Sequence, residues 1–472
     1  MSTSAVFSHR FDDNILRAYD IRGIFEKTLR LDDAYAIGCA FAEEVRFAGG
    51  KEIIVGYDGR LSSPALEEKL VAGITDAGLD VLRIGLGPTP MVYYAGVESD
   101  ADASIMITGS HNPSDYNGFK FTLKGKPFFG DSIKELGRLA EKGFDLSSRT
   151  KGKVENKNFK EAYVKRIAKD YLGKKSLKVI WDSGNSAAGP VLEALTAILP
   201  GEHKILFSEV DGHFPNHHPD PTVEKNLSFL KDAVKSEGAD IGVAFDGDAD
   251  RVGVVDNTGR VMWGDEILAF LAKDILKSSP GATIIGEVKC SQNTYNQIAQ
   301  AGGKPVMWKC GHSFIKAKMA EVGALLAGEM SGHLFFADKW YGFDDGIYSA
   351  VRVIDLLSRS GRPLSEIRAE FPETFSTPEI RLAVPDEKKF SVIKELSALL
   401  EKEGQKFYNI DGIRASFPEG WWLLRCSNTE PAIIARVEAL SPSGKEKLKK
   451  DMESNLKKVN FPTESLKVLD TL

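Results

Sequence analysis

Three short loops in this 472-residue chain hold residue types that do chemistry together. In Thr108-Gly-Ser-His-Asn-Pro113 a serine stands between glycine and histidine, straight after the apolar run at 105–107. Gly109 relaxes the backbone at the turn, and Pro113 stops the strand from continuing. Ser110 is therefore a candidate nucleophile. A free serine hydroxyl is weak, so it needs a base or must already carry a reactive group, such as phosphate. The competing reading is a strand-ending turn in which Ser110 and Asn112 hydrogen-bond the backbone. The hydrolase elbow Gly-x-Ser-x-Gly is absent, because position 112 is Asn112.

In Asp246-Gly-Asp-Ala-Asp-Arg251, carboxylates recur at alternate positions and repel one another unless a cation neutralises them. An all-oxygen set favours a hard ion, Mg²⁺ or Ca²⁺. The EF-hand pattern fails: its glycine position holds Arg251 and its closing glutamate position holds Asn257. Asp246, Asp248 and Asp250 leave an octahedral Mg²⁺ room for water and one phosphate oxygen. In Gly328-Glu-Met-Ser-Gly-His333 the alternation of Glu329, Ser331 and His333 presents one polar face, suited to vicinal hydroxyls. Lys289 and His312 come from adjacent strand ends of the same unit and complete a sugar-binding edge.

Two further clusters carry weight. Arg425-Cys-Ser-Asn-Thr-Glu-Pro431 offers a guanidinium, the Ser427 and Thr429 hydroxyls, and a turn of backbone N–H groups around Asn428. With Arg436 beyond, it suits a phosphate dianion; the alternative is an ordinary hairpin turn. The stretch His213-Phe-Pro-Asn-His-His218 invites a zinc reading, but its surroundings, Asp211-Gly and Pro219-Asp-Pro221, read as a rigid turn.

The elements that must position these loops repeat along the chain. Runs at 52–58, 178–183 and 283–289 are β-branched and end in polar clusters. A helical stretch follows each, and then a second apolar run delivers one of the three loops. Continuous apolar strands alternating with helices predict an α/β fold: three similar domains with mixed, largely parallel sheets sharing one cleft. Joints near Lys151–Asn158, Thr258–Arg260 and Pro372–Pro378 divide the chain into 1–156, 157–260, 261–372 and 373–472. The last piece is a smaller α+β domain, with strands at 421–425 and 432–438 and a helix at 443–459 capped by Ser443.

Composition removes other classes. The net charge is −6, from 61 basic and 67 acidic residues, so nucleic acid and anionic membranes are not expected partners. Attraction for an anionic ligand must come from local Arg and Lys. The four cysteines lack a CxxC, which argues against a disulfide framework and fits a reduced, cytoplasmic setting. No apolar leader core and no run of about 18 apolar residues occurs, so a soluble protein is expected.

Taken together and in this order, the serine, metal, sugar and phosphate loops resemble those of the α-D-phosphohexomutase family. The likeness covers nearly the whole chain. Gly328–His333 and the following Trp340-Tyr-Gly-Phe-Asp-Asp-Gly346 are similar to its bacterial phosphomannomutase/phosphoglucomutase group. The chain departs from the wider family at Gly109, where Ala is common, and at Cys310, where Thr is frequent. The resemblance implies four domains around a central cleft and a phosphorylated Ser110 bound to one Mg²⁺ with Asp246, Asp248 and Asp250. It implies that Tyr19, Arg22, Lys120 and Arg251 approach the substrate, with Lys120 and His333 as the candidate acid and base. The implied reaction interconverts hexose 1-phosphate and hexose 6-phosphate of mannose and glucose, through a bound 1,6-bisphosphate. Glucose 1,6-bisphosphate would act as activator, sugar phosphates would be the partners, and the protein would be a monomer or weak dimer. The rival readings are a phosphoglucosamine mutase, a Mg²⁺-dependent sugar-phosphate phosphatase and a non-catalytic sugar-phosphate sensor.

Overall fold

In the computed structural model, which describes residues 6–427 and 431–471, three sheets repeat one pattern. In the first, strand Glu52–Tyr57 lies parallel to Ala103–Ile107, which turns back antiparallel along Tyr116–Leu123. In the second, Lys178–Asp182 lies parallel to Ile241–Phe245, which turns back along Val252–Asp256. In the third, Thr283–Glu287 lies parallel to Leu326–Gly328, which turns back along Leu334–Phe336. Each polar loop thus sits at the carboxyl end of a central strand, where open α/β sheets place their sites.

The apolar runs form strands because both faces are covered. All five residues of Ala103–Ile107 and of Ile241–Phe245 are buried. Burying one such aliphatic side chain contributes roughly 1.5–3 kcal/mol. Helix Ser63–Asp76 begins with a proline in its first turn, where no intrahelical N–H is lost. One apolar core contains Ile54 and Met106 of the first sheet, Trp181 and Val243 of the second, and Ile284 and Leu326 of the third. Helix Gly346–Ser360 contributes Ile347, Val351 and Ile354 to the same core. Close packing across the three units sets their loops relative to one another.

The fourth sheet is antiparallel. Ala432–Ala439 pairs with Gly420–Cys426, which pairs with Ile413–Phe417. Helices Asp386–Glu403 and Pro442–Lys458 supply Leu396, Leu400, Leu448 and Met452 to a separate core around Trp422 and Ile433.

The polar stretch Thr258–Arg260 forms a tight hairpin turn, because Val261–Met262 pairs antiparallel with Val254 and Val255. Asp256 Oδ1 accepts from the amides of Thr258 and Arg260, which curls the chain back, and helix Gly264–Ser278 follows. The C-terminal helix is capped by Ser441, not Ser443. Ser441 accepts from the Gly444 amide at 3.0 Å, and Pro442, with its φ already helical, opens the first turn.

Candidate active site

Ser110 holds a left-handed backbone (φ 49°) and is buried at the floor of a cleft of about 880 Å³. Its Oγ donates to Asp246 Oδ2 at 2.8 Å, so the serine loop of the first unit meets the acidic loop of the second. Asp246, Asp248 and Asp250 have no solvent exposure. Burial, and then the charges of Asp250 and Asp248, push the Asp246 carboxyl well above the usual range. Lys120 donates to Asp248 Oδ2 at 2.7 Å and to Asp250 Oδ2 at 2.5 Å. Burial opposes its charge, but these two carboxylates outweigh it and raise the ammonium well above an ordinary lysine.

One lysine does not satisfy three carboxylates. Among the described residues, Asp248 Oδ1 and Asp250 Oδ1 find no hydrogen-bond partner although buried, a cost that native structures normally offset with an ion or water. Oxygen atoms of Asp246, Asp248 and Asp250 lie within 4.8 Å of one another. The acidic loop can therefore hold a metal ion, and the all-oxygen donor set fits a hard divalent cation.

Above the carboxylates the third unit closes in. Arg251 and His333 form a backbone bridge, and Arg251 Nε donates to His333 Nε2 at 2.9 Å. An imidazole nitrogen that accepts carries no proton, so the neutral ring is protonated on Nδ1. That atom faces Asp344 Oδ2 at 3.0 Å and Asp250 Oδ1 at 3.6 Å. His312 stacks on His333 with centroids 5.6 Å apart, and burial, then nearby Lys316, hold its pKa well below the ordinary value. Glu329 accepts from the Gly311 amide at 2.5 Å and from Ser331 Oγ at 3.4 Å.

The cleft also carries cations. Arg425 Nε donates to Asp411 Oδ2 at 2.8 Å, Lys289 Nζ donates to Glu379 at 3.1 Å, and Arg436 donates to the Lys289 carbonyl at 3.0 Å. Tyr19 donates to the Cys310 carbonyl, and Arg22 spans Asp20 and Asn112. Tyr19, Arg22, Ser110 and Lys120 line the cleft from the first unit, and Arg251 from the second. Lys289, His312, Glu329, Ser331 and His333 line it from the third, and Arg425, Ser427 and Arg436 from the fourth. Asn428 and Thr429 lie outside the described residues.

The histidine-rich stretch is a turn. His217 Nε2 lies 3.0 Å from both Asp182 oxygens, and His218 Nε2 lies 2.5 Å from the His111 carbonyl. Sequence reasoning missed Thr89, whose hydroxyl donates to Asp248, together with Asp344, Asp58 and Arg60. Asp58 closes the first β-branched run and Asp344 lies in the quoted 340–346 stretch, so both were within sight. Nothing in Gly59-Arg60 announces its partners, which are backbone carbonyls.

A serine over a buried carboxylate trio, in one cleft with several arginines and lysines, defines a phosphoryl-transfer protein for small phosphorylated ligands. The family models identify which. "Phosphoglucomutase/phosphomannomutase, alpha/beta/alpha domain I" matches residues 13–145, domain II 161–259, domain III 263–375, and the C-terminal domain 379–454. A "Phosphomannomutase/phosphoglucomutase" of Pseudomonas putida is 46% identical over 448 residues, 95% of this chain and 96% of that one. A "Phosphoglucomutase" of Neisseria gonorrhoeae is 45% identical over 428 residues, covering 90% of this chain and 93% of its own. A crystal structure of a family protein from Burkholderia thailandensis superposes with TM-score 0.90 at 41% identity, over 95% of this chain and 98% of that one. The chain belongs to the phosphoglucomutase/phosphomannomutase family.

Proposed function

We propose that this protein interconverts hexose 1-phosphate and hexose 6-phosphate, of mannose and of glucose, through phospho-Ser110 and a bound 1,6-bisphosphate. The observation that carries the reading is the 2.8 Å contact between Ser110 Oγ and Asp246, made inside a cleft that Arg425 and Lys289 also line. Asp246, Asp248 and Asp250 would hold Mg²⁺, which supplies charge stabilisation to the transferring phosphoryl group.

The substrate binds with its phosphate on Arg425, Ser427 and Arg436 and its vicinal hydroxyls on Glu329 and Ser331. Tyr19, Lys289 and His312 close the sides, and Arg22 and Arg251 face the phosphate on Ser110. A free sugar hydroxyl attacks phospho-Ser110; the new oxygen–phosphorus bond forms as the bond to Oγ breaks. His333 takes the hydroxyl proton on Nε2 once that nitrogen, which here accepts from Arg251 Nε, is released to the sugar. Lys120, held cationic by two carboxylates, balances charge at the nucleophile instead of acting as base. The bisphosphate turns end for end, and its other phosphoryl group returns to Ser110. Glucose 1,6-bisphosphate can therefore load the enzyme and activate it. A cytoplasmic monomer or weak dimer fits this reading. No helix among the described residues is long and apolar enough to cross a membrane.

A coupled assay comparing mannose, glucose and glucosamine 1-phosphates, with free phosphate measured alongside, tests the reading. Mannose and glucose differ at C2, which Glu329 and Ser331 do not read when they hold O3 and O4, so their kcat/KM values should lie within about tenfold of each other. Dominant turnover of glucosamine phosphate, or stoichiometric release of inorganic phosphate, would replace this reading with a rival.

A further inference from the structure

Arg60 is among the largest fully buried side chains of the molecule, with 1% exposure, and it does not itself line the cleft. Its guanidinium donates to four carbonyls of the serine loop: Ser110 at 2.6 Å, Asn112 at 2.7 Å, Pro113 at 2.5 Å and Tyr116 at 2.8 Å. Behind it, Asp58 Oδ2 lies 3.2 Å from Arg60 Nε and accepts from Thr108 Oγ1 at 2.7 Å and the Gly109 amide at 3.3 Å. Four carbonyls converging on one planar cation curl the chain tightly, which accounts for the left-handed backbone of Ser110. Gly109 is what lets the guanidinium in: a Cβ there would stand 2.5 Å from Arg60 Cζ.

The second unit closes over the same loop with the histidine-rich turn. The Phe214 ring lies under the Arg60 guanidinium, 5.4 Å from centroid to Cζ. His218 Nε2 meets the His111 carbonyl at 2.5 Å. Since a carbonyl only accepts, that nitrogen donates. A Cβ on Gly212 would be 2.8 Å from both the Gly59 carbonyl and the Leu61 amide, so the turn seats directly on the Arg60 segment. His217, tied to Asp182 at 3.0 Å, anchors the turn to its own sheet.

We propose that Arg60, backed by Asp58 and closed over by the turn at 213–218, is a positioning residue that aims the serine loop at the sugar hydroxyl and keeps water out of line. This rests on the phosphoserine reading above. Phosphoryl transfer depends on in-line placement, so a loop free to shift loses transfer and gains hydrolysis. In that side reaction a water oxygen bonds to phosphorus as the bond to Ser110 Oγ breaks. Oγ takes up a proton from the water, and inorganic phosphate leaves. The clamp thus sets the ratio of mutase to phosphatase activity.

Arg60→Lys keeps the charge and cannot reach four carbonyls. Its kcat, its KM for glucose 1-phosphate and the phosphate released per turnover are measured on protein that unfolds cooperatively. A misplacement near an ångström costs about 100-fold, so kcat should fall by about that factor, with KM nearly unchanged and phosphate release per turnover up about tenfold. His218→Gln, which loosens the loop from the other side, should raise phosphate release in the same direction with a smaller fall in kcat. If Arg60→Lys does not fold, Asp58→Asn, which removes the carboxylate behind the guanidinium, decides by the same two readouts. Wild-type kcat and wild-type phosphate release in the folded variant overturn the proposal. Failure of the phosphoserine reading shows separately, as labelling by glucose 1,6-bisphosphate that survives Ser110→Ala.

Discussion

Around Ser110 the polar partners are buried and multiple: Asp246 on the hydroxyl, Arg60 on the carbonyl, and three carboxylates with no solvent exposure beneath. Among the described residues, Arg425 and Lys289 each pair with one carboxylate, Asp411 and Glu379, whose side chains keep 20% and 24% of their exposure. One end of the cleft is built to hold one atom in one place. On the proposed reading, an incoming phosphate displaces the anions that hold the cations of the other end. The reaction asks for that difference, because the reacting phosphorus needs fixed geometry while the distal phosphate must bind in two orientations and let go between them.

The largest effect should come from the fixed end. Ser110→Ala should remove nearly all turnover, a loss of at least about 10³-fold, since no other hydroxyl occupies that position. Intact-protein mass spectrometry after incubation with glucose 1,6-bisphosphate should show one phosphoryl group on the wild type and none on the variant. Asp248→Asn should follow, with turnover down by about 10²- to 10³-fold and weaker Mg²⁺ binding by calorimetry. The fold should survive, because relieved repulsion between carboxylates offsets the lost ion. Full activity after thorough chelation would remove the metal from the fixed end.

At the displaceable end, Arg425→Ala loses a charge-assisted hydrogen bond of about 1.5–3 kcal/mol, so KM should rise roughly 10- to 150-fold for 1-phosphate and 6-phosphate alike. More bisphosphate should escape per turnover, measured by quenching and chromatography. Wild-type KM with wild-type release would mean that Arg425 holds no phosphate and the contrast between the ends fails.

The smallest effect concerns the turn that joins the two units at the fixed end. Burial opposes the His217 charge, but the hydrogen bond to Asp182 outweighs it and raises the pKa above 6.5. The folded state thus favours the charged ring. Its stabilisation is full below the unfolded value and is lost as pH rises through the folded one. His217→Gln should therefore destabilise by at most about 1 kcal/mol in mildly acidic buffer, and by less in alkaline buffer. Thermal unfolding across pH reads this; an equal loss at both extremes would make the pair neutral.

Much of the site was legible because its loops are local. Ser110, Asp246 and Glu329 each follow a buried apolar run by a few residues, so alternation and strand ends were enough to find them. Their meeting was not local. The Ser110–Asp246 contact spans 136 residues and depends on two hairpins sharing a core. The polar stretch Thr258–Arg260 shows the limit from the other side, since its turn residues do not reveal that Val261–Met262 pairs back onto the second sheet.

The sequence by itself determined the α/β alternation, the acidic loop and its need for a cation, the candidate nucleophile, and the anionic overall charge that makes local arginines necessary. Tertiary structure alone decided that Lys120 lies between Asp248 and Asp250, that His333 Nε2 accepts from Arg251, and that Arg60 grips the serine loop. The physical reason is the nature of the partners. Side-chain chemistry repeats at short spacing and leaves a pattern, whereas a cation bound to backbone carbonyls, or a proton placed by a neighbouring domain, depends on distances that no spacing along the chain encodes.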